Sequence, residues 1–175
     1  MSAVLVAIPL LVWSQTSRTP YAGQESRPIK SLSDTEVQAY LDGRGMGLAL
    51  PAELNGYPGP SHVLELAAEL HLSEAQRMET QKAFTQMHAE AIRLGKLIVE
   101  KEAELNRLFA QGKAQADNLP LKVGEIARLQ GELRVAHLRA HLEMKRVLTE
   151  DQIRRYNELR GYREGSHQRP QHGHE

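Results

Sequence analysis

The chain has 175 residues, enough for one modest domain with extensions, and its 22 Lys and Arg balance its 22 Asp and Glu. A protein that binds nucleic acid carries a basic excess, so this balance argues against nucleic-acid partners. No cysteine is present, which excludes disulfides, thiolate metal sites and cysteine nucleophiles.

An apolar run, residues 3–13, comes first and is interrupted by Pro9. It is shorter than the roughly 20 residues that a spanning helix needs, so we expect no stable membrane span. Its length suits the apolar part of a secretory signal, although the first basic residue is Arg18. We interpret residues 1–14 as a signal segment for export. The alternative is an apolar N-terminus that packs on the domain.

Residues 15–60 are rich in Gly, Pro, Ser and Thr, which is typical of an extended arm. One short helix is predicted inside it, with Ser33 as N-cap, Glu36 as its capping-box partner and Gly43 at its end. The stretch 43–47 lacks the preceding strand and following helix of a phosphate-binding loop. We therefore interpret it as a flexible turn.

Residues 61–164 predict an all-α domain of four helices. A Ser or Thr cap followed three residues later by Gln marks the start of the second and the fourth helix. The expected helix bounds are 61–71, 73–111, 120–148 and 149–160. Residues 165–175 form a polar tail that contains His167, His172 and His174, and we expect this tail to be disordered.

The two long helices carry apolar residues at alternating steps of three and four, the pattern of a coiled-coil seam. The break between them holds Gly112 and Pro120, which favours a long antiparallel helical hairpin. The seam residues are Phe84, Met87, Ala91, Leu94, Ile98, Leu105 and Leu108 in the first helix, and Ile126, Leu129, Leu133, Ala136, Ala140 and Val147 in the second.

A register can be predicted for this hairpin by placing Ile98 opposite Leu133. The same register places Met87 opposite Met144. It also places Gly95 opposite an alanine, Ala136, so close approach of the two helix backbones would explain a glycine in mid-helix.

Two similar boxes begin helices at the open end of the hairpin: Leu72, Ser73 and Gln76 in one, and Leu148, Thr149 and Gln152 in the other. They resemble the paired LTxxQ motifs of the Spy/CpxP family of periplasmic proteins, although Ser73 replaces the usual Thr. That family includes ATP-independent refolding chaperones and related heavy-metal-responsive proteins. The resemblance covers about residues 61–162. It implies a four-helix all-α fold that dimerises into a curved cradle in the periplasm.

A possible metal site lies on the second long helix, where His137, His141 and Met144 share one face. The predicted register adds Met87 and His88 from the facing helix. Imidazole and thioether ligands suit Zn, Ni or Cu, although no cofactor is required by the fold. The structural alternative is that both methionines fill the core and the histidines lie at its boundary. His62 or His71 could supply a further ligand across the fold.

No catalytic motif is found in the sequence, so we expect no enzyme. The first hypothesis is a homodimeric, ATP-independent periplasmic chaperone that shields unfolded envelope proteins. The second is a periplasmic heavy-metal-binding resistance or sensor protein, and the third is a structural helical-hairpin partner of another envelope protein.

Overall fold

A computed structural model describes residues 19–162, and within this range the chain is helical without strands. The predicted signal segment 1–14 and the tail 165–175 lie outside the described residues. No helix within the described range combines the length and the apolar character needed to cross a membrane. A 3-10 turn at Gln24–Ser26 is followed by α1 (Asp34–Leu41), α2 (Leu50–Glu53), α3 (Pro60–Glu65), α4 (Glu74–Ala110), α5 (Leu119–Val147) and α6 (Glu150–Leu159).

Three predicted capping boxes are confirmed. In each, the cap hydroxyl accepts a hydrogen bond from the backbone of the third helical residue, whose side chain accepts one from the cap backbone. Helix α3 is shorter than predicted, because turns replace it from residue 66 onward and His71 has a φ of 49°. The caps are Ser33, Ser73 and Thr149.

Helices α4 and α5 form the antiparallel hairpin, and two buried clusters hold it. We call its two ends the mouth, where the two LTxxQ-like boxes lie, and the tip, the loop at residues 111–118. The mouth cluster comprises Val63, Leu70, Ala83, Met144, Leu148, Ile153 and Tyr156. The middle cluster comprises Ala91, Leu94, Ile98, Leu129 and Leu133.

The hairpin register differs from the predicted one by about one helical turn. Met144 lies in the mouth cluster with Ala83, whereas Met87 packs on the middle cluster. Lys101 forms an ion pair with Glu125 at 3.3 Å, although the predicted register places residue 130 opposite it. The predicted pairing of Met87 with Met144 is therefore wrong. Apolar residues still face each other after a slip of one helical turn, so the periodicity of the seam does not by itself decide between the two registers.

Residues 19–60, the arm segment, fold back onto the hairpin instead of extending from it. Leu32 and Ala39 are buried, and Asn106 of α4 donates a hydrogen bond to the Pro28 carbonyl at 3.1 Å. The glycines that suggested an extended arm instead permit close contact between backbones and side chains.

Gly95 of α4, on the hairpin side, makes the closest contact with the arm segment. A Cβ atom at Gly95 would lie 2.0 Å from the carbonyl oxygen of Tyr40, the next-to-last residue of α1. The close approach predicted at Gly95 is therefore present, but its partner is α1 and not Ala136. Gly95 is therefore the point at which the backbone of the arm segment contacts α4.

Candidate functional site

A cavity of about 490 Å³ lies between the arm segment and the hairpin. Helices α4 and α5 supply one wall, and the glycine-rich stretch 43–47 together with α2 and the start of α3 supplies the other. Four histidines line this histidine cavity: His62, His88, His137 and His141. The sequence predicted three of them as neighbours and offered His62 or His71 as a further ligand; the start of α3 brings His62 into the cavity.

His137 is the most deeply buried of the four, with 5% of its surface exposed. Its Nε2 atom is buried and has no hydrogen-bond partner among residues 19–162. Burial lowers the pKa of His137, and the nearby His141 and His88 lower it further. The ring is therefore neutral near pH 7. Since buried polar atoms are nearly always paired, this orphaned nitrogen marks His137 as a candidate ligand-binding group.

His88 and His141 attach the hairpin to the arm segment through backbone carbonyls. His88 donates from Nε2 to the Asp42 carbonyl at 2.9 Å, and His141 donates from Nδ1 to the Tyr57 carbonyl at 2.7 Å. In each ring the other nitrogen has no hydrogen bond to residues of the described range. A histidine held by a carbonyl in this way is oriented as metal-binding histidines usually are.

Glu53 of α2 is a buried carboxylate that sequence reasoning missed. Its Oε1 accepts hydrogen bonds from the hydroxyls of Tyr156 at 2.5 Å and Tyr162 at 3.0 Å. Its Oε2 accepts from the Gly59 backbone at 3.1 Å and lies 3.6 Å from Nδ1 of His141. Burial and then the bond to Glu53 raise the pKa of Tyr156 above its usual range, so the phenol stays protonated. A four-residue helix has no periodic signal that could reveal this role.

The predicted metal ligands are thus only partly brought together. Met87 lines the histidine cavity beside His88, His137 and His141. Met144 instead lies fully buried in the mouth cluster, as the core alternative predicts. Within residues 19–162, no three His, Asp or Glu side chains are placed so that they could hold one metal ion.

The glutamines of the two boxes meet at the mouth. Gln76 and Gln152 exchange side-chain amide hydrogen bonds of 2.8 and 3.0 Å. Gln76 also donates to the Val147 carbonyl at 2.9 Å, and Gln152 donates to the Leu70 carbonyl at 3.2 Å. Each glutamine therefore caps its own helix and ties that helix to the chain entering the other box. This arrangement gives both boxes a structural role.

A groove of about 730 Å³ runs between the two long helices, and its lining comes only from α4 and α5. Its apolar lining consists of Ala83, Met87, Gly131, Val135, Ala136 and Ala140. Two carboxylates on its edges pair within their own helices, Glu90 with Arg93 at 2.7 Å and Glu132 with Arg128 at 2.5 Å, whereas the edge residue Arg139 has no ion pair within residues 19–162. The arm segment does not contribute to this surface.

No known protein-family model, no curated protein and no solved structure matches this chain. The functional proposal therefore depends on the groove, the mouth and the histidine cavity.

Proposed function

We propose that the protein is an ATP-independent periplasmic chaperone of the Spy/CpxP type, which acts as a homodimer and shields unfolded envelope proteins. The observation that carries the proposal is the groove between α4 and α5, which is open and has an apolar floor. The interlocked glutamines of the two boxes support it as well, since they give the paired motifs a common structural purpose at the mouth.

The groove has the chemistry of a weak binding surface for unfolded chains. Small residues such as Ala136 and Ala140 leave it shallow, and Val135 is 43% exposed at its edge. Burial of apolar client side chains on such a surface favours binding by about 25 cal/mol for each Å² of apolar area removed from water. The edge carboxylates Glu90 and Glu132 already have partners, so they add little binding energy. Contacts of this strength form and break readily.

The proposal is tested by measuring how well the native chain and the variant Val135→Asn suppress the aggregation of a denatured client protein. The matched control is Val123→Asn, because Val123 is 47% exposed on the same helix but does not line the groove. We expect the native chain to suppress aggregation at an equimolar ratio. Val135→Asn should need several-fold more protein, roughly the effect of losing one apolar contact of about 1 kcal/mol, and Val123→Asn should behave like the native chain.

Two results would contradict the proposal: no suppression by the native chain at equimolar ratio, or equal loss in the two valine variants. Sedimentation velocity on the same samples tests the proposed homodimer, which predicts a single species of twice the chain mass.

Metal binding is a second candidate function, and the orphaned Nε2 of His137 favours it. His137 would hold a Zn, Ni or Cu ion together with His141 or His88, whose rings are already oriented by carbonyl groups. The residues fit such an ion in part, because the described range contains no closed set of three His, Asp or Glu ligands. The ion would supply a fixed link between the arm segment and the hairpin.

Calorimetric titration with each of the three metals tests this second candidate. The histidines at positions 167, 172 and 174 should first be replaced by serine, so that the tail cannot bind the ions. We expect His137→Ala to lower the affinity at least tenfold, the effect of losing about 1.4 kcal/mol. His71→Ala is the control, since His71 is exposed and does not line the histidine cavity. Equal affinity in all three proteins would reject the histidine cavity as a metal site.

A further inference from the structure

The arm segment covers an apolar surface of the hairpin that the open groove does not include. Tyr40 of α1 and Leu48, in the loop after it, pack against the middle cluster. The Tyr40 carbonyl rests on α4 at the position that only Gly95 leaves open. The hairpin therefore has a second apolar face, and this chain itself supplies the occupant.

Within the arm segment, residues 30–48 are attached to the hairpin by few polar contacts, and most of these are exposed. Ser31 donates to Glu102 at 2.7 Å and Asn106 donates to the Pro28 carbonyl at 3.1 Å, both at the surface. Helix α1 has eight residues, and a helix of that length is not stable in water without docking. The partly buried bond from His88 to Asp42 is the main polar link. Docking of residues 30–48 thus depends mainly on apolar contacts, with Leu32 and Ala39 buried and Tyr40 and Leu48 packed on the middle cluster.

We propose that residues 30–48 act as a displaceable internal competitor for a second client surface on α4. The partner that this surface fits is an unfolded segment with one aromatic and one aliphatic side chain, because that is the chemistry of the segment that occupies it now. The inference rests on the proposed chaperone function and specifies how it is regulated. Apparent client affinity then depends on the fraction of molecules in which residues 30–48 are released.

Gly95→Ala is the variant that should release residues 30–48. The added methyl group would lie 2.0 Å from the Tyr40 carbonyl oxygen, while α4 itself gains helix propensity. Gly124→Ala in α5 is the matched control, because a Cβ atom there has no neighbour within 4 Å. Hydrogen exchange of residues 34–41 measures release without reference to clients. Fluorescence anisotropy with a reduced, alkylated, permanently unfolded protein measures client affinity.

We expect residues 34–41 to exchange faster in Gly95→Ala and the apparent client affinity to rise on the order of tenfold, as removal of a competitor that keeps nine molecules in ten closed would give. A second variant tests the opposite direction. The chain has no cysteine, so Ser31→Cys with Glu102→Cys can be joined selectively by a short bismaleimide. The cross-linked protein should bind the client more weakly than the same variant before cross-linking.

Faster exchange without a gain in client affinity would overturn the inference, and so would unchanged affinity after cross-linking. If Gly95→Ala does not fold, the cross-linked pair decides alone. If the native chain fails to bind the client but Gly95→Ala binds it, the covered surface is supported and the open groove is rejected as a client site. If neither binds, both proposals are rejected.

Discussion

The mouth and the tip of the hairpin are built in different ways. At the mouth, α3, α4, α5 and α6 enclose one apolar cluster and the glutamine pair closes it. Near the tip, the long helices are joined by exposed or half-buried ion pairs such as Lys122 with Glu104 at 3.0 Å, and Phe109 and Leu121 are exposed. The difference indicates that contacts at the mouth determine the hairpin register and that the ion pairs near the tip add little to it.

The largest expected effect is at the mouth cluster. Met144→Ala removes a fully buried side chain, and we expect the free energy of unfolding to fall by about 3 kcal/mol, because the cavity that remains cannot be refilled. Leu142→Ala is the control on the same helix, since Leu142 is exposed. Urea denaturation measures both. Equal values for the two variants would remove the contrast between the mouth and an exposed surface.

The glutamine pair should give the next largest effect. Gln152→Ala leaves the Leu70 carbonyl and the Thr149 backbone N–H without their side-chain partner, so we expect a loss of about 2 kcal/mol. Gln81→Ala, at an exposed position in α4, should change stability by only a few tenths of that amount. If the two variants unfold at the same urea concentration, the mouth is not closed by the glutamines.

The histidine cavity predicts a pH dependence of intermediate size. The pKa of His137 is lowered in the folded chain, so the unfolded chain binds a proton first as the pH falls. Stability is complete above the ordinary histidine pKa of about 6.5 and declines below it by at most about 1.4 kcal/mol per pH unit, until the lowered folded pKa is passed. His137→Gln should flatten this decline, measured by urea denaturation between pH 7.5 and 5. If the free energy of unfolding falls equally with pH in His137→Gln and in a His71→Gln control, His137 is ruled out as the source of the pH dependence.

The smallest effect is expected near the tip. Lys122→Ala breaks the ion pair with Glu104, and pairs with this much exposure contribute about 0.5 kcal/mol. The pKa of Glu104 is lowered, first of all by its bond to Lys122, so the interaction favours the charged carboxylate. A double-mutant cycle with Glu104→Gln isolates the coupling energy. A coupling as large as the effect of Gln152→Ala would contradict the contrast between the two ends.

The parts of the fold that could be predicted are the local ones. A capping box involves residues three positions apart, so Ser33, Ser73 and Thr149 mark helix starts in the sequence itself. The hairpin register could not be predicted from a repeating seam, because the long-range bond from Gln76 to the Val147 carbonyl helps to select it. The slip of one turn moved Met144 away from Met87 on the facing helix.

The docking of the arm segment was beyond sequence reasoning for a different reason. It depends on Gly95, whose mid-helix position signalled a close approach without naming the partner. Glu53 joins the histidine cavity only because that segment folds back, and His62 joins it from the start of α3. The imidazoles of α4 and α5 could be grouped from the helical repeat, whereas the opposite wall of the cavity could not.

The length of the hairpin gives its mouth a mechanical role. Helix α5 has 29 residues and is therefore about 43 Å long. A rotation of about 5° where it leaves the mouth would move its far end by about 4 Å, with no change in the helix itself. A small change in the geometry of Gln76 and Gln152 would therefore be expressed as a much larger displacement at the tip of the hairpin.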